Sequence, residues 1–383
     1  MKTLSCNYEM LNPNIIVSEN CWVIDESGKR YVDFEAGVWC ASLGHNNRQI
    51  NEAMIRQMGI ISHVGYRYTT KVVNEAAEKV LGLLGFADGR CVFLSSGSEA
   101  VEFAVQLSKK AMGRPYLLCL EGYFLSSYGT SAVRGKNEWI SLDISQYNGN
   151  PEDFLRDVPF GDIGAFVFEP GNASGMVKLP PKDLIAAIEA KIRKNGGIIA
   201  VNEITAGTGR TGKWFGHQHY SIRPDVVAIG KGIGNGYPVS VVALSSQMAD
   251  MAGKAGFRYA QSHQDDPLGC AVVSEVITII ENNGMIQRSA DMGLVLKAQL
   301  EALKAKHSFI KEVRGIGLMF VMEFHHDKKL PLEKIHREVF DKGYIVGVSP
   351  LANLLRFYPP LTIDGAQIKA MAAALDAVLR GYA

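Results

Sequence analysis

No sign of charge dominates this chain: 40 Lys and Arg stand against 39 Asp and Glu. That balance removes any global electrostatic case for a nucleic-acid or anionic-lipid partner. No uninterrupted apolar run reaches the length needed to cross a bilayer, so no membrane partner is expected. The first residues, Met1-Lys2-Thr3-Leu4-Ser5, lack the apolar core of a signal peptide. Six cysteines (Cys6, Cys21, Cys40, Cys91, Cys119 and Cys270) are scattered, with neither a Cys-x-x-Cys pair nor a regular spacing. They read as reduced, mostly buried thiols of a cytoplasmic protein, and they offer no zinc site, so no metal is expected. Internal repeats, low-complexity tracts and long linkers are missing as well.

What remains is ample material for a core. At 383 residues and 47% hydrophobic, the chain supports one large lobe and a smaller companion. Short apolar runs at Cys91–Leu94, Tyr116–Leu120, Ala165–Phe168, Gly197–Val201, Val226–Ile229 and Val239–Leu244 are predicted strands. Amphipathic helix patterns such as Ser98–Met112 and Pro181–Asn195 lie between them. This alternation predicts an α/β fold whose mostly parallel sheet is covered on both faces. From about Met285 the pattern changes to a long helix (to Lys306), a strand region over Val313–Phe324, a helix near Leu332–Lys342, a short strand around Ile345 and a last helix, Ile363–Leu379. That is an α+β layout. The expected division is an N-terminal segment, 1–45, packing on the small domain; a large domain, 46–284; and a small domain, 285–383. Within the first, Cys21–Phe34 with a turn at Gly28 reads as a hairpin.

In open parallel sheets, ligands bind beyond the carboxyl ends of the strands. Lys231 stands there, after the apolar run Val226–Ile229 and before a glycine-rich turn ending at Pro238. An apolar strand end lowers a lysine's preference for charge, and the glycines leave room for a flat cofactor; the alternative is a solvated lysine opening a loop. Ser95, Ser96, Gly97 and Ser98 open a helix after another strand. They form either a phosphate cradle at a helix N-terminus or an ordinary capping box. Tyr123 and Phe124 place rings at a third strand end, for stacking on a heteroaromatic ligand or for core packing. The polar pair Asn202-Glu203 either contacts a ligand or anchors the following loop. Gly207, Gly212 and Lys213 have P-loop spacing, but Trp214 replaces the magnesium-binding Ser/Thr and no helix pattern follows, so nucleotide hydrolysis is excluded.

These pieces occur together in one order. Gly28–Gly37, Leu43–His45, Ser96–Ala100, Glu169–Pro170, Asn202–Gly212, Pro224–Asp225, Lys231–Pro238, Asp266–Pro267, Arg314–Met319 and Arg356–Leu361 make the chain resemble the class III pyridoxal-phosphate-dependent aminotransferases of fold type I. The resemblance covers nearly the whole length. It implies pyridoxal 5'-phosphate as cofactor, with Lys231 forming the internal aldimine and shuttling the proton. It also implies that Ser96, Gly97 and Ser98 bind the phosphate, that Tyr123 stacks on the pyridine, and that Glu169 and Asn202 lie in the cofactor site. A residue from the neighbouring subunit completes the phosphate site in the family; the matching position here is Ser262, with His263 and Gln264 as substitutes, and a homodimer follows.

The chain departs from the family pattern in ways that bear on chemistry. Asn202 stands where the family has an aspartate that keeps the pyridine nitrogen protonated, so a weaker electron sink and slower proton abstraction are expected. Tyr123-Phe124-Leu125-Ser126 lacks the arginine that clamps a carboxylate in acetylornithine-type members, and Ser174 replaces the acidic residue of ornithine-type members. Both absences argue against acetylornithine or ornithine held in the usual geometry. Arg356 is a candidate carboxylate partner, the alternative being a tie to Glu169 or to a carbonyl. Trp39, Tyr66 and Tyr68 are candidate pocket walls, with core packing as their alternative. The expected activity is transfer of an amino group between an amine, including ω-amino compounds, and a keto acid or aldehyde. A racemase or aminomutase of the same fold, and a catalytically weak cofactor-binding paralogue, stand as alternatives.

Overall fold

The computed structural model describes residues 11, 14–171, 175–328 and 330–382. Its N-terminal strands β1 (Ile15–Glu19), β2 (Trp22–Asp25) and β3 (Arg30–Asp33) form an antiparallel meander. The turn between β2 and β3 needs Gly28 at φ +82°, a conformation that costs glycine nothing.

The central sheet has seven strands: β4 (Arg90–Leu94), β5 (Tyr116–Leu120), β6 (Trp139–Leu142), β7 (Ile163–Phe168), β8 (Ile198–Asn202), β9 (Val226–Ile229) and β10 (Ser240–Leu244). Their order is β4-β10-β9-β8-β7-β5-β6. All neighbours from β6 to β9 pair parallel, while β10 runs antiparallel to both β9 and β4. Every residue of β7, β8, β9 and β10 is buried, as expected where helices cover both faces. Strand β6, which the sequence reading did not anticipate, adds an edge beside β5.

The C-terminal part contributes β11 (Ile310–Ile316), β12 (Met319–Phe324), β13 (Tyr344–Ile345), β14 (Gly347–Ser349) and β15 (Leu354–Phe357). The strand region over Val313–Phe324 is two antiparallel strands, with Gly317 at φ +56° reversing the chain between them. Strand β15, also unanticipated, carries Arg356. β3 pairs in parallel with β13, and Cys21, Val32 and Phe34 share a core with Leu296, Phe320 and Leu375, so the N-terminal meander packs against the C-terminal lobe. Arg210 locks the lobes. It is 1% exposed, donating to the carbonyls of Leu318 and Pro359 and to Ser42 Oγ, and burial pushes its pKa down to about 10.

Candidate active site

β9 ends at Ile229, and Lys231 follows with φ +48°, a left-handed conformation that lysine seldom adopts. Its Nζ donates to Thr205 Oγ1 at 3.0 Å and sits 4.9 Å from the ring centroid of Trp39. Burial pushes its pKa below the ordinary lysine value, and Cys40 and Glu169 oppose that shift. Desolvation of the charged form makes this amine surrender its proton readily, which nucleophilic attack on a carbonyl requires.

The helix Gly97–Met112 starts directly after β4, with Ser96 as its N-cap. Ser96 Oγ accepts from Glu99 N at 3.2 Å, and Glu99 Oε2 accepts from Ser95 N at 2.9 Å. The capping arrangement is therefore real, yet it satisfies only the third N–H of the turn. The N–H groups of Gly97 and Ser98 belong to the first turn, where no intrahelical acceptor exists. Two glycines bring this turn up to the lysine. A Cβ on Gly97 would lie 2.6 Å from Ile204 Cγ2, and one on Gly230 would lie 3.3 Å from Gly97 Cα. A helix N-terminus with two N–H groups lacking intrahelical acceptors and a desolvated amine thus lie at one corner of the sheet.

Asn202 closes β8 and is 2% exposed. Its Nδ2 donates to the Phe124 and Leu125 carbonyls at 3.3 and 3.5 Å, and its Oδ1 accepts from Ile204 N at 3.1 Å. The amide ties β8 to the loop after β5 and brings no charge. Glu203 resolves the other half of the pair: it accepts from Gly216 N, His217 N and His217 Nδ1, each at 2.8 Å, and so anchors the following loop. Tyr123 is buried in the core beneath the strand ends, its hydroxyl donating to the Lys178 carbonyl at 2.7 Å, while Phe124 beside it is exposed. Glu169, at the end of β7, is buried close enough to Lys231 and Tyr123 to bias the protonation of both.

Trp39 owes its place to strained backbone. Ala36, Gly37, Val38 and Trp39 all have positive φ, a left-handed turn that costs about 1–2 kcal/mol for each residue other than glycine. Asp33 holds it, accepting from Glu35 N at 2.7 Å, Gly37 N at 2.8 Å and His45 Nε2 at 2.8 Å. The turn delivers two groups. Trp39 faces Lys231, with the Arg356 guanidinium 5.5 Å from the same ring. Glu35 accepts from Arg356 Nε at 3.2 Å. The sequence reading gave a tie to Glu169 or a carbonyl as the alternative for Arg356; an ion pair seen here is with Glu35. Burial raises the pKa of Glu35 while Arg356 opposes the rise. Gly347 leaves room for the pair, since a Cβ there would fall 1.8 Å from Glu35 Oε1 and 2.7 Å from Arg356 Nε and displace both side chains.

Tyr66 and Tyr68 stand exposed on the surface and are not gathered with Lys231 within one chain. Ser262 and His263 are exposed in a turn, and Gln264 is half-buried beside them. Ser174 lies outside the described residues. Gly207–Lys213 forms a loop against the helix Met285–Lys306, where a Gly212 Cβ would lie 3.0 Å from Ala290 Cβ, and only a single 3-10 turn, Gly216–His219, follows it. Sequence reasoning missed Thr205 and Glu35. Both fall inside the motif segments it singled out, but their roles arise from contacts across 26 and 321 residues of sequence separation.

The aminotransferase class-III family model matches residues 4–125 and 152–379. The acetylornithine aminotransferase of Bacillus subtilis is 29% identical over 380 residues, covering 96% of this chain and 95% of its own length. The 5-aminovalerate aminotransferase DavT of Pseudomonas aeruginosa is 28% identical over 387 residues, covering 92% of this chain and 90% of its own. Among solved structures, the S-selective transaminase from Arthrobacter sp. superimposes with a TM-score of 0.90 at 22% identity, over 100% of this chain and 95% of that one. Likeness at that identity establishes the fold, α/β of fold type I, while the family model spans the motifs that form the site. The chain belongs to the class III aminotransferases, enzymes that move an amino group between an amine or amino acid and a keto acid or aldehyde.

Proposed function

We propose that this aminotransferase uses pyridoxal 5'-phosphate, bound between Lys231 and the first turn of Gly97–Met112, and that its amine donor carries the reacting nitrogen remote from a carboxylate. The observation that carries the cofactor reading is the close approach of Gly97 and Gly230 beside a desolvated lysine. A Cβ at either position would crowd Ile204, and the two backbones approach closely, which supports a shared site for the helix end and the amine. Bound there, pyridoxal phosphate supplies an aldehyde to which the amine condenses and a ring that accepts the electron pair released at the substrate carbon.

The remaining work falls to the chain's own groups. Ser96, Gly97 and Ser98 bind the phosphate, and Ser262 of a second copy, flanked by His263 and Gln264, completes that site in a homodimer. Gln261 Nε2 and Gln264 Oε1, on either side of the turn, are buried with no hydrogen-bond partner among the described residues, which supports an incoming group there. Lys231 moves the proton at the reacting carbon, Thr205 orients its amine, and Asn202 borders the ring without bringing a charge. Tyr123, with Phe124 beside it, forms the aromatic floor, and Glu169 borders the ring. Trp39 walls the substrate space, Tyr66 approaches from the surface segment, and Arg356 receives a substrate carboxylate in competition with Glu35.

The relative named for 5-aminovalerate supports donors of the ω-amino class. We take the lobes to divide at residues 45 and 284. The unpaired state of Cys21, Cys40, Cys91, Cys119 and Cys270 supports a reducing, cytoplasmic setting. The test is a donor screen read by the absorbance of the bound cofactor, with Arg356→Ala alongside. The variant is expected to raise KM for keto acids at least about tenfold and to leave a carboxylate-free aldehyde acceptor unaffected. A pale preparation that borohydride fails to label at Lys231 overturns the cofactor reading.

The neutrality of Asn202 favours one second reading, racemisation or amino-group migration, since a weaker electron sink shifts reprotonation toward the substrate carbon. A single enantiomer incubated without keto acid separates them: loss of optical rotation supports this reading, and a stoichiometric shift of the cofactor to its amine form supports transamination.

A further inference from the structure

Away from Lys231, two imidazoles and a carboxylate converge at the start of the helix Pro267–Asn282. His63 lies in the irregular stretch before the helix Lys71–Leu84, and His263 and Asp266 lie in the turn entering Pro267–Asn282. His63 Nδ1 is 3.3 Å from Asp266 Oδ1, and the His63 and His263 ring centroids are 4.8 Å apart at 47°. The donor atoms of all three residues lie within 4.8 Å of one another. Asp266 is itself oriented: its Oδ2 accepts from Gly269 N at 3.2 Å as helix cap and from Tyr237 OH at 3.4 Å, leaving Oδ1 to the histidines. A cavity of about 220 Å³, lined in part by Ser95, Tyr237, His263 and Asp266, opens beside the cluster.

We propose that His63, His263 and Asp266 form a binding site for a divalent transition metal, zinc being the best-matched ion. Two imidazoles and one carboxylate are the donor set such ions prefer, whereas calcium and magnesium require oxygen cages absent here. Metal–ligand bonds of about 2.0–2.2 Å in a tetrahedron place donors about 3.3 Å apart. The His63–Asp266 pair stands at that separation, and His263 reaches it by side-chain rotation in an exposed turn. The fourth position opens on the cavity, which has room for a water. An ordinary His–Asp contact accounts for His63 but not for a second imidazole set against it at 4.8 Å. The Tyr237 hydroxyl and the helix cap supply the outer partners that hold a ligating carboxylate in place.

The site has a consequence for the reaction that rests on the preceding functional reading. A bound metal ties the segment at His63 to the turn that carries Ser262, and so stiffens the phosphate grip of the second subunit.

Untagged, metal-stripped full-length protein is titrated with Zn²⁺ by calorimetry and with Co²⁺ by absorption, without pyridoxal phosphate. One ion per chain is expected, with a cobalt spectrum that lacks a thiolate charge-transfer band. His63→Ala and His263→Ala each weaken binding by more than about 100-fold, beyond the loss caused by outer partners. Both histidines are exposed, so the fold survives, as far-UV circular dichroism verifies. His63→Gln, which keeps the size of the side chain, behaves like the alanine variant. Absence of uptake, a thiolate band, or equal affinity in the variants overturns the proposal. Because uptake is read without cofactor or turnover, that failure is separate from any failure of the aminotransferase reading.

Discussion

Asn202 and Thr205 carry the single-residue predictions for the proposed site. Asn202 is buried and its amide is fully engaged by two carbonyls and one N–H. Asn202→Asp inserts a carboxylate that holds a proton on a nearby pyridine nitrogen. The half-reaction with an amine is expected to accelerate by at least about tenfold, with a shift of the cofactor band, in rapid-mixing absorbance traces. The same change sets an acceptor against the Phe124 and Leu125 carbonyls, so the cofactor-free variant loses about 1–3 kcal/mol in urea unfolding. No rate gain and no spectral change would remove the idea that the asparagine limits proton abstraction. Thr205 acts on the amine itself. Thr205→Val removes the acceptor that favours the ammonium form, so the Lys231 pKa falls further and the acidic limb of the kcat profile moves to lower pH. kcat drops about tenfold, equivalent to about 1.4 kcal/mol, with KM retained, and Thr205→Ser restores both features. An unshifted profile would make Thr205 a packing residue.

At the scale of elements, the site depends on strand ends and on one strained turn. Tyr123, Glu169, Thr205 and Lys231 follow β5, β7, β8 and β9, whose parallel pairing aligns their carboxyl ends at one edge. Ser96 follows β4, which reaches the same edge across the antiparallel β10. The left-handed turn at Ala36–Trp39 is different: it is held by Asp33 and delivers Trp39 against its torsional preference, with Glu35 at its entry. In the small lobe, Asp376 on the helix Gly365–Leu379 accepts from His307 at 2.8 Å and from Arg380 at 2.7 Å. The His307 hydrogen bond is the largest influence holding its pKa down, at about 2 against an ordinary value of 3.8. A folded pKa below the unfolded one means that this stabilisation is complete above about pH 4 and is lost as pH falls toward 2. Asp376→Asn is therefore expected to be less stable at neutral pH by about 1–3 kcal/mol. Its chemical-unfolding curve should approach the wild type's between pH 4 and 2. Parallel curves across that interval would assign the network no pH dependence.

For the whole molecule, the turn that carries Ser262 is exposed in a single chain, and on either side of it one buried amide atom, Gln261 Nε2 and Gln264 Oε1, lacks a hydrogen-bond partner among the described residues. A shared phosphate site predicts a dimer by sedimentation, with Ser262→Ala weakening cofactor affinity by about 10–100-fold, the value of one hydrogen bond to a charged group. Mixed with a Lys231→Ala chain, the Ser262→Ala chain is expected to regain cofactor affinity in hybrid dimers, where its lysine faces an intact turn. Affinity that stays low in the hybrids would locate the phosphate contacts within one subunit.

Local order in the chain decided the strands, the covering helices and the lysine. Apolar runs such as Val226–Ile229 and the glycines around Lys231 are properties of neighbours in sequence, and burial on both faces leaves few other arrangements for them. The motif order from Gly28 to Leu361 carried the family for the same reason. Contacts between distant segments were invisible until the chain folded: Glu35 with Arg356, Thr205 with Lys231, and His63 with His263 and Asp266. Those pairings depend on where the strained turn and the irregular loops come to rest. Hydrophobic periodicity does not encode that; side-chain packing and hydrogen bonding across the lobes do.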